Sequence, residues 1–234
     1  MEPKVLLILF MSLMIQGAFS ATFTFRNNCP YTVWPGIQNN PNVPQFPTTG
    51  FQLTSGASQS SNSPGSWAGR IWARTGCNGQ FTCATGTCAP SLTCNGAGGS
   101  PPVSLAEFTL NGDGGKDFYD ISLVDGFNIP VGIRPDRGCP STTCSANINS
   151  VCPANLSVRG SDGRTIACKS ACLAFGQPQY CCTGEYNNPD RCTATDYSRI
   201  FKNACPQAYS YAYDDRSSTF TCPTGANYAI TFCP

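Results

Sequence analysis

Apolar residues recur along the chain in short alternating runs, and Gly, Pro, Ser, Thr or Asn bounds each run. Thr22 to Phe25, Tyr31 to Trp34, Arg70 to Thr75, Leu105 to Leu110, Phe118 to Val124 and Tyr228 to Phe232 carry the clearest alternation. A period of two bounded by turn residues predicts strands of an antiparallel sandwich or barrel. Ala21 opens the first of these runs and Phe232 closes the last, so both ends are expected in one sheet system. Helical spacing is scarce. Tyr197, Ile200, Phe201 and Ala204 recur at i, i+3, i+4 and i+7, with Asp196 as the expected cap and Pro206 as the stop. Cys168, Cys172 and Phe175 make a weaker face that Gly176 should end.

One run departs from this pattern. Val5 to Ile15 is apolar almost throughout, and Ala18 and Ser20 place small side chains at −3 and −1 of a signal-peptidase site. The run is too short for a bilayer, which needs about 20 apolar residues. Residues 1–20 are therefore read as a signal peptide and Ala21 as the mature start, with no stable membrane anchor. All sixteen cysteines fall after that point. An even number in an exported chain predicts a complete disulfide set. No CxxC pair and no histidine is present, so neither zinc sites nor Ser-His-Asp or Cys-His machinery is expected, and no metal or cofactor. Without Glu2 and Lys4 the formal charge stays at +1. That balance offers no footprint for nucleic acid or for anionic membrane.

Chemistry must then come from the few carboxylates. In Leu105 to Leu110, Ala106, Phe108 and Leu110 share one face and Glu107 projects from the other. Asp120 and Asp125 have opposite parity. They share a face only across a bulge, or if Asp125 lies in the turn that Gly126 suggests. Arg70 alternates with Trp72 and Arg74. A pair of carboxylates is the minimum apparatus for cleaving a glycosidic bond; the same residues could equally be solvated surface charges paired with arginines. Spacing leaves both readings open.

Several segments resemble the thaumatin-like proteins, the fifth pathogenesis-related group of plants, and the likeness covers the mature sequence. They include Asn27-Asn28-Cys29-Pro30-Tyr31-Thr32-Val33-Trp34, Gly69 to Cys77, Leu105 to Phe108 and Asp120 to Pro130. Tyr180-Cys181-Cys182-Thr183, Tyr209 to Asp215 and the closing Phe232-Cys233-Pro234 complete them. The composition is most similar to the fruit-type members. The resemblance implies a mainly β protein with an antiparallel β-sandwich core of about eleven strands. It assigns 21–74, 103–145 and 206–234 to that core, 75–102 to a small disulfide-tied loop lobe and 146–205 to a cysteine-rich lobe with short helices. It implies the pairs Cys29–Cys233, Cys77–Cys83, Cys88–Cys94, Cys139–Cys222, Cys144–Cys205, Cys152–Cys168, Cys172–Cys181 and Cys182–Cys192. The family's cleft residues fall on Arg70, Glu107, Asp120, Asp125 and Asp214. In antifungal members such a cleft is associated with β-1,3-glucan of fungal cell walls. Where hydrolysis occurs, Glu107 would be the proton donor and Asp125 the nucleophile or base, with Asp120 and Asp214 keeping the site negative. The chain departs from the family pattern at Thr87, where an Asp is usual, and in a shorter Cys77–Cys83 loop.

The likeness thus implies a secreted defence protein, apoplastic or vacuolar, monomeric, with a weak endo-glucanase activity left open. It also makes the chain an allergen candidate. The competing class is a non-catalytic interaction protein, either an inhibitor of foreign digestive enzymes or a membrane-perturbing protein. Near-neutral charge argues against the membrane version, and against sweet taste, whose family members are strongly basic. Asn155-Leu156-Ser157 is the usable N-glycosylation sequon.

Overall fold

The computed structural model describes residues 20–234; the expected signal peptide lies outside them, Ser20 excepted. The strands begin with β1 (Thr22–Asn27), β2 (Val33–Asn39), β3 (Ser58–Asn62), β4 (Ala68–Thr75), β5 (Leu105–Thr109) and β6 (Lys116–Ser122). β7 (Val131–Pro135), β8 (Thr142–Cys144), β9 (Ser157–Arg159) and β10 (Thr165–Cys168) follow. Four short helices come next: α1 (Ala171–Phe175), α2 (Pro178–Cys181), α3 (Asp196–Ala204) and α4 (Asp215–Ser218). β11 (Phe220–Pro223) and β12 (Tyr228–Phe232) end the chain. Two five-stranded sheets, ordered β3-β1-β12-β7-β8 and β11-β6-β5-β4-β2, pack face to face, and β9 and β10 form a separate ribbon.

Alternation explains the packing. In β1, Phe23 and Phe25 point inward and are fully buried; Phe23 meets Phe108 of the opposite sheet edge-to-face at 4.9 Å. Phe46, Trp67, Tyr119 and Tyr228 enlarge the same aromatic core. Such contacts add about 0.5–1.5 kcal/mol each beyond area burial. The two ends do share a sheet, as expected, but β1 and β12 run parallel, Phe23 opposite Tyr228, while the other strand pairs are antiparallel. β3 has no apolar residue at all. It forms because β1 offers an unpaired edge to it.

Eight disulfides join Cys29–Cys233, Cys77–Cys83, Cys88–Cys94 and Cys139–Cys222, with Cys144–Cys205, Cys152–Cys168, Cys172–Cys181 and Cys182–Cys192. Each typically stabilises a fold by about 2–4 kcal/mol, in part by restricting the unfolded chain. Thr87, at the position where the family usually has Asp, accepts a hydrogen bond from Cys83 N at 2.9 Å and so closes its own loop.

Two helix starts differ from the sequence expectation. α3 is capped by Thr195, not by Asp196: Thr195 Oγ1 accepts from Ser198 N, and Ser198 Oγ accepts from Thr195 N at 2.8 Å. This reciprocal pair satisfies two amides at once, which leaves Asp196 as the first helical residue, 2.7 Å from Arg199. The chain already leaves the helix at Cys205, before Pro206. Cys168 ends strand β10 rather than joining a helical face, and Ser170 caps α1. Gly176 does end α1, at φ 63°. No helix among the described residues is long and apolar enough to cross a membrane.

Candidate functional site

Three adjacent strands build the site by register. Arg70 on β4 lies opposite Glu107 on β5, and Glu107 lies opposite Asp120 on β6. Residues directly opposed across an antiparallel pair hold their Cβ atoms about 4.5–5.5 Å apart. One cross-strand row therefore carries a guanidinium and two carboxyls side by side. Their neighbours Ala106, Phe108, Tyr119 and Ile121 face the core, so alternation forces the charged set outward.

Asp125 joins the row from the turn after β6. Its carboxylate reaches Arg70 Nη1 at 4.0 Å, while Glu107 Oε1 lies 3.6 Å from Arg70 Nε. The turn is pinned by Val103 N donating to Asp125 O at 3.1 Å and by Gly126 N donating to Leu123 O at 2.9 Å. Gly126 has φ +87°, and a Cβ there would lie 2.5 Å from Cys168 O. Only glycine fits both demands.

A cleft of about 400 Å³ opens over this row, lined by Arg70, Glu107, Asp120, Ser122, Asp125 and Asp215 among others. Asp214 is not among its lining residues. Asp214 caps the short helix α4 without a side-chain cap bond and turns toward α3, where Lys202 Nζ sits 2.8 Å away. It also accepts from Ser210 N at 3.0 Å and Ser210 Oγ at 2.8 Å. The fourth carboxylate over the cleft, after Glu107, Asp120 and Asp125, is its neighbour Asp215, held by Tyr209 Oη at 2.8 Å. Tyr209 is itself fixed to the edge of the row, its N donating to Ile121 O and its O accepting from Leu123 N, both at 2.8 Å. Sequence reasoning missed Tyr209 and Asp215 as site residues. The Asp214-Asp215 doublet was the signal, since it offers two carboxylates of which one can turn inward.

Burial sets the protonation pattern. It pushes Glu107 above the usual carboxylate range; Arg70 pulls back, Asp125 pushes up again and Ser122 pulls back. Asp120 goes further, to about 8, first through burial and then through the charges of Glu107 and Asp215, with Arg70 opposing. Its Oδ1 is buried without a hydrogen-bond partner, so nothing compensates an ionised oxygen there. Burial also pushes the Tyr209 hydroxyl up, which keeps it a donor to Asp215. At neutral pH the row thus holds a proton on Asp120, next to Glu107 and two strands from Arg70. It can both donate to and accept from hydroxyl groups.

This arrangement has a stability consequence. Below about pH 3.9 Asp120 is protonated in both the folded and the unfolded chain. From there up to about 8 only the folded chain keeps the proton, so stability falls as pH rises through that window. Discounted for the solvent that reaches the cleft, Asp120 should lower the unfolding free energy by about 1–3 kcal/mol between pH 5 and pH 8. Denaturant unfolding of the wild type and Asp120→Asn at both pH values checks this. The variant should have the flatter profile; parallel profiles would refute the assignment.

The thaumatin family model matches residues 27–234. Thaumatin-like protein 1 of Pyrus pyrifolia is 60% identical over 226 residues, covering 93% of each chain. A Prunus avium protein named glucan endo-1,3-beta-glucosidase is 54% identical over 245 residues, covering 100% of each. Relatives thus include one with a hydrolase name and one without. Among solved structures, a laminaripentaose-producing beta-1,3-glucanase in complex with laminaritetraose superposes with a TM-score of 0.64 at 13% identity. The superposition covers 92% of this chain and 99% of that one, a likeness of fold. Matched from Asn27 to its last residue, the chain belongs to the thaumatin family.

Proposed function

We propose that this is a secreted plant defence protein that binds β-1,3-glucan of fungal walls as a monomer, through the cleft over Arg70, Glu107 and Asp120. The observation that carries the reading is the cross-strand row itself, three polar groups in register beneath an open cleft. A neutral glucan offers hydroxyls and ring oxygens. Glu107, Asp125 and Asp215 accept from hydroxyls, Arg70 donates in a planar fork, and protonated Asp120 donates to an oxygen. The name of the Prunus avium relative supports a 1,3-linked glucan as the ligand.

Hydrolysis is the further step open to this set. Glu107, raised by burial, would protonate the leaving oxygen, and Asp125 would act as the anion that attacks or activates water. Arg70 lies within 4.0 Å of both carboxylates. It therefore stabilises them as anions, which favours binding and slows donation by Glu107. A weak hydrolase is the balance expected from that geometry.

Pull-down on insoluble β-1,3-glucan tests the reading. Glu107→Gln should weaken retention by about tenfold, the effect of losing one hydrogen bond to a charged group, and Asp120→Ala, which removes a neutral donor that Asn would keep, by about two- to tenfold. Equal retention of wild type and both variants removes the cleft from the binding. For the chemical step, reducing ends released from laminarin should fall by about 10²–10⁴-fold in Glu107→Gln, the contribution of a positioned general acid. No release by the wild type at mildly acidic pH leaves a binding protein only.

A further inference from the structure

We propose a second ligand site, a groove for a neutral oligosaccharide, on a part of the molecule that shares no lining residue with the carboxylate cleft. The groove has a volume of about 710 Å³ and lies between the start of β2, the Ile129-Pro130 segment and the β9–β10 ribbon. That volume falls within the roughly 300–1,000 Å³ of small-molecule sites and exceeds the carboxylate cleft's 400 Å³.

Its surface combines aromatic platforms with a hydroxyl-binding rim. Tyr31 is 45% exposed, and Trp34 is half-buried on the same strand entry. Tyr31 is the one exposed aromatic residue among the described residues. Both rings sit on rigid backbone. The side chain of Asn27, itself fully buried, donates to Tyr31 O at 2.8 Å, and Val33 N donates to Leu53 O at 3.0 Å. The Cys29–Cys233 bridge fixes the adjoining segment. A sugar ring presents a C–H face that lies on such platforms with little ordering cost, because the platforms are held before the ligand arrives.

Asn147, Thr75, Asp162 and Arg164 complete the rim. Asp162 and Arg164 are 3.7 Å apart and largely exposed, and an exposed pair of this kind contributes little to stability. Their acceptor and fork of donors match the vicinal hydroxyls of a hexose. They are also the only charged residues among those lining the groove, one of each sign. Phosphate, sulfated sugar or a basic peptide would find no complementary net charge. A neutral hexose chain fits what the groove offers, whether it comes from a β-1,3-glucan or from the N-glycan of a glycoprotein.

Trp34 makes the test direct. The other two tryptophans, Trp67 and Trp72, are fully buried, so a ligand-induced fluorescence change reports on Trp34. Titration of the intact protein with laminarihexaose and, separately, with a released oligomannose N-glycan, each to about 10 mM, covers sites as weak as 1 mM. A saturable change with either supports the groove, and which glycan produces it identifies the source. Tyr31→Ala should raise Kd by about tenfold at an unchanged melting temperature, and Trp34→Phe should abolish the signal. Asp120→Ala should leave the fluorescence titration unchanged, so failure of cleft binding and failure of the groove are read separately. No saturable change with either glycan, or a titration that Tyr31→Ala does not move, overturns the proposal.

Discussion

Asp214→Asn is expected to lower the unfolding free energy by about 2–4 kcal/mol, whereas Asp215→Asn should cost under about 1 kcal/mol. The difference follows from where two adjacent carboxylates point. The Asp214 side chain is 11% exposed and that of Lys202 is 24% exposed. Lys202 Nζ also donates to Ala208 O at 2.8 Å and to Ser218 Oγ at 3.0 Å. Removing the negative partner leaves a mostly buried ammonium with neutral acceptors alone, and that desolvation is uncompensated. For a chain of this size the loss amounts to a fall in melting temperature of about 5–10 °C. Asp215 lines the open cleft instead, so its amide variant should melt normally and weaken glucan retention. Thermal melts by circular dichroism with glucan pull-down on both variants separate the two. The assignment fails if Asp215→Asn melts as low as Asp214→Asn, or if Asp214→Asn melts normally and loses glucan.

The same doublet shows where sequence stops. Period-two alternation placed Glu107 on the solvent face of its strand, and the structure agrees, because burying Ala106 and Phe108 permits no other arrangement. Register is a different matter. That Arg70, Glu107 and Asp120 are opposite one another depends on how β4, β5 and β6 slide, and their connecting loops fix that slide through contacts distant in sequence. Family likeness could nominate Asp214, but the choice between Asp214 and Asp215 rests on Lys202 lying across from one of them, a tertiary fact. β3 was invisible for a related reason: Ser-Gln-Ser-Ser-Asn has no pattern of its own and takes strand form from its partner. The proton on Asp120 was equally out of reach. It comes from burial and from an unpartnered oxygen, which composition does not encode.

Arg74→Met should be the most damaging single substitution of a charged residue in the core sheet, costing about 3–5 kcal/mol. Arg74 is fully buried, yet no carboxylate lies within ion-pair distance of it among the described residues. Four backbone carbonyls take its place. Nε donates to Trp34 O at 3.0 Å, Nη1 to Ser91 O at 3.1 Å, and Nη2 to Pro35 O at 3.3 Å and Leu92 O at 2.6 Å. Burial pulls the guanidinium down to about 10, still charged at any physiological pH. The fork therefore joins β2 to the loop at Ser91-Leu92, which has little core of its own beyond Trp72, Cys94, Val103 and Leu105. Methionine preserves much of the volume but donates nothing, and each carbonyl left dry costs about 1–3 kcal/mol. Lysine keeps the charge but, as a point donor, cannot span both segments, so Arg74→Lys should fall between wild type and Met. Hydrogen exchange should show the amides around Cys94 opening first, since Cys94 N donates to Thr49 O across the same junction. Arg70 lies four residues earlier on the same strand, about 13 Å away at 3.3 Å per residue, so the row over the cleft should keep its register. A Met variant as stable as wild type, with unchanged exchange near Cys94, would mean that the carbonyls find other donors and that Arg74 does not hold the loop to the sheet.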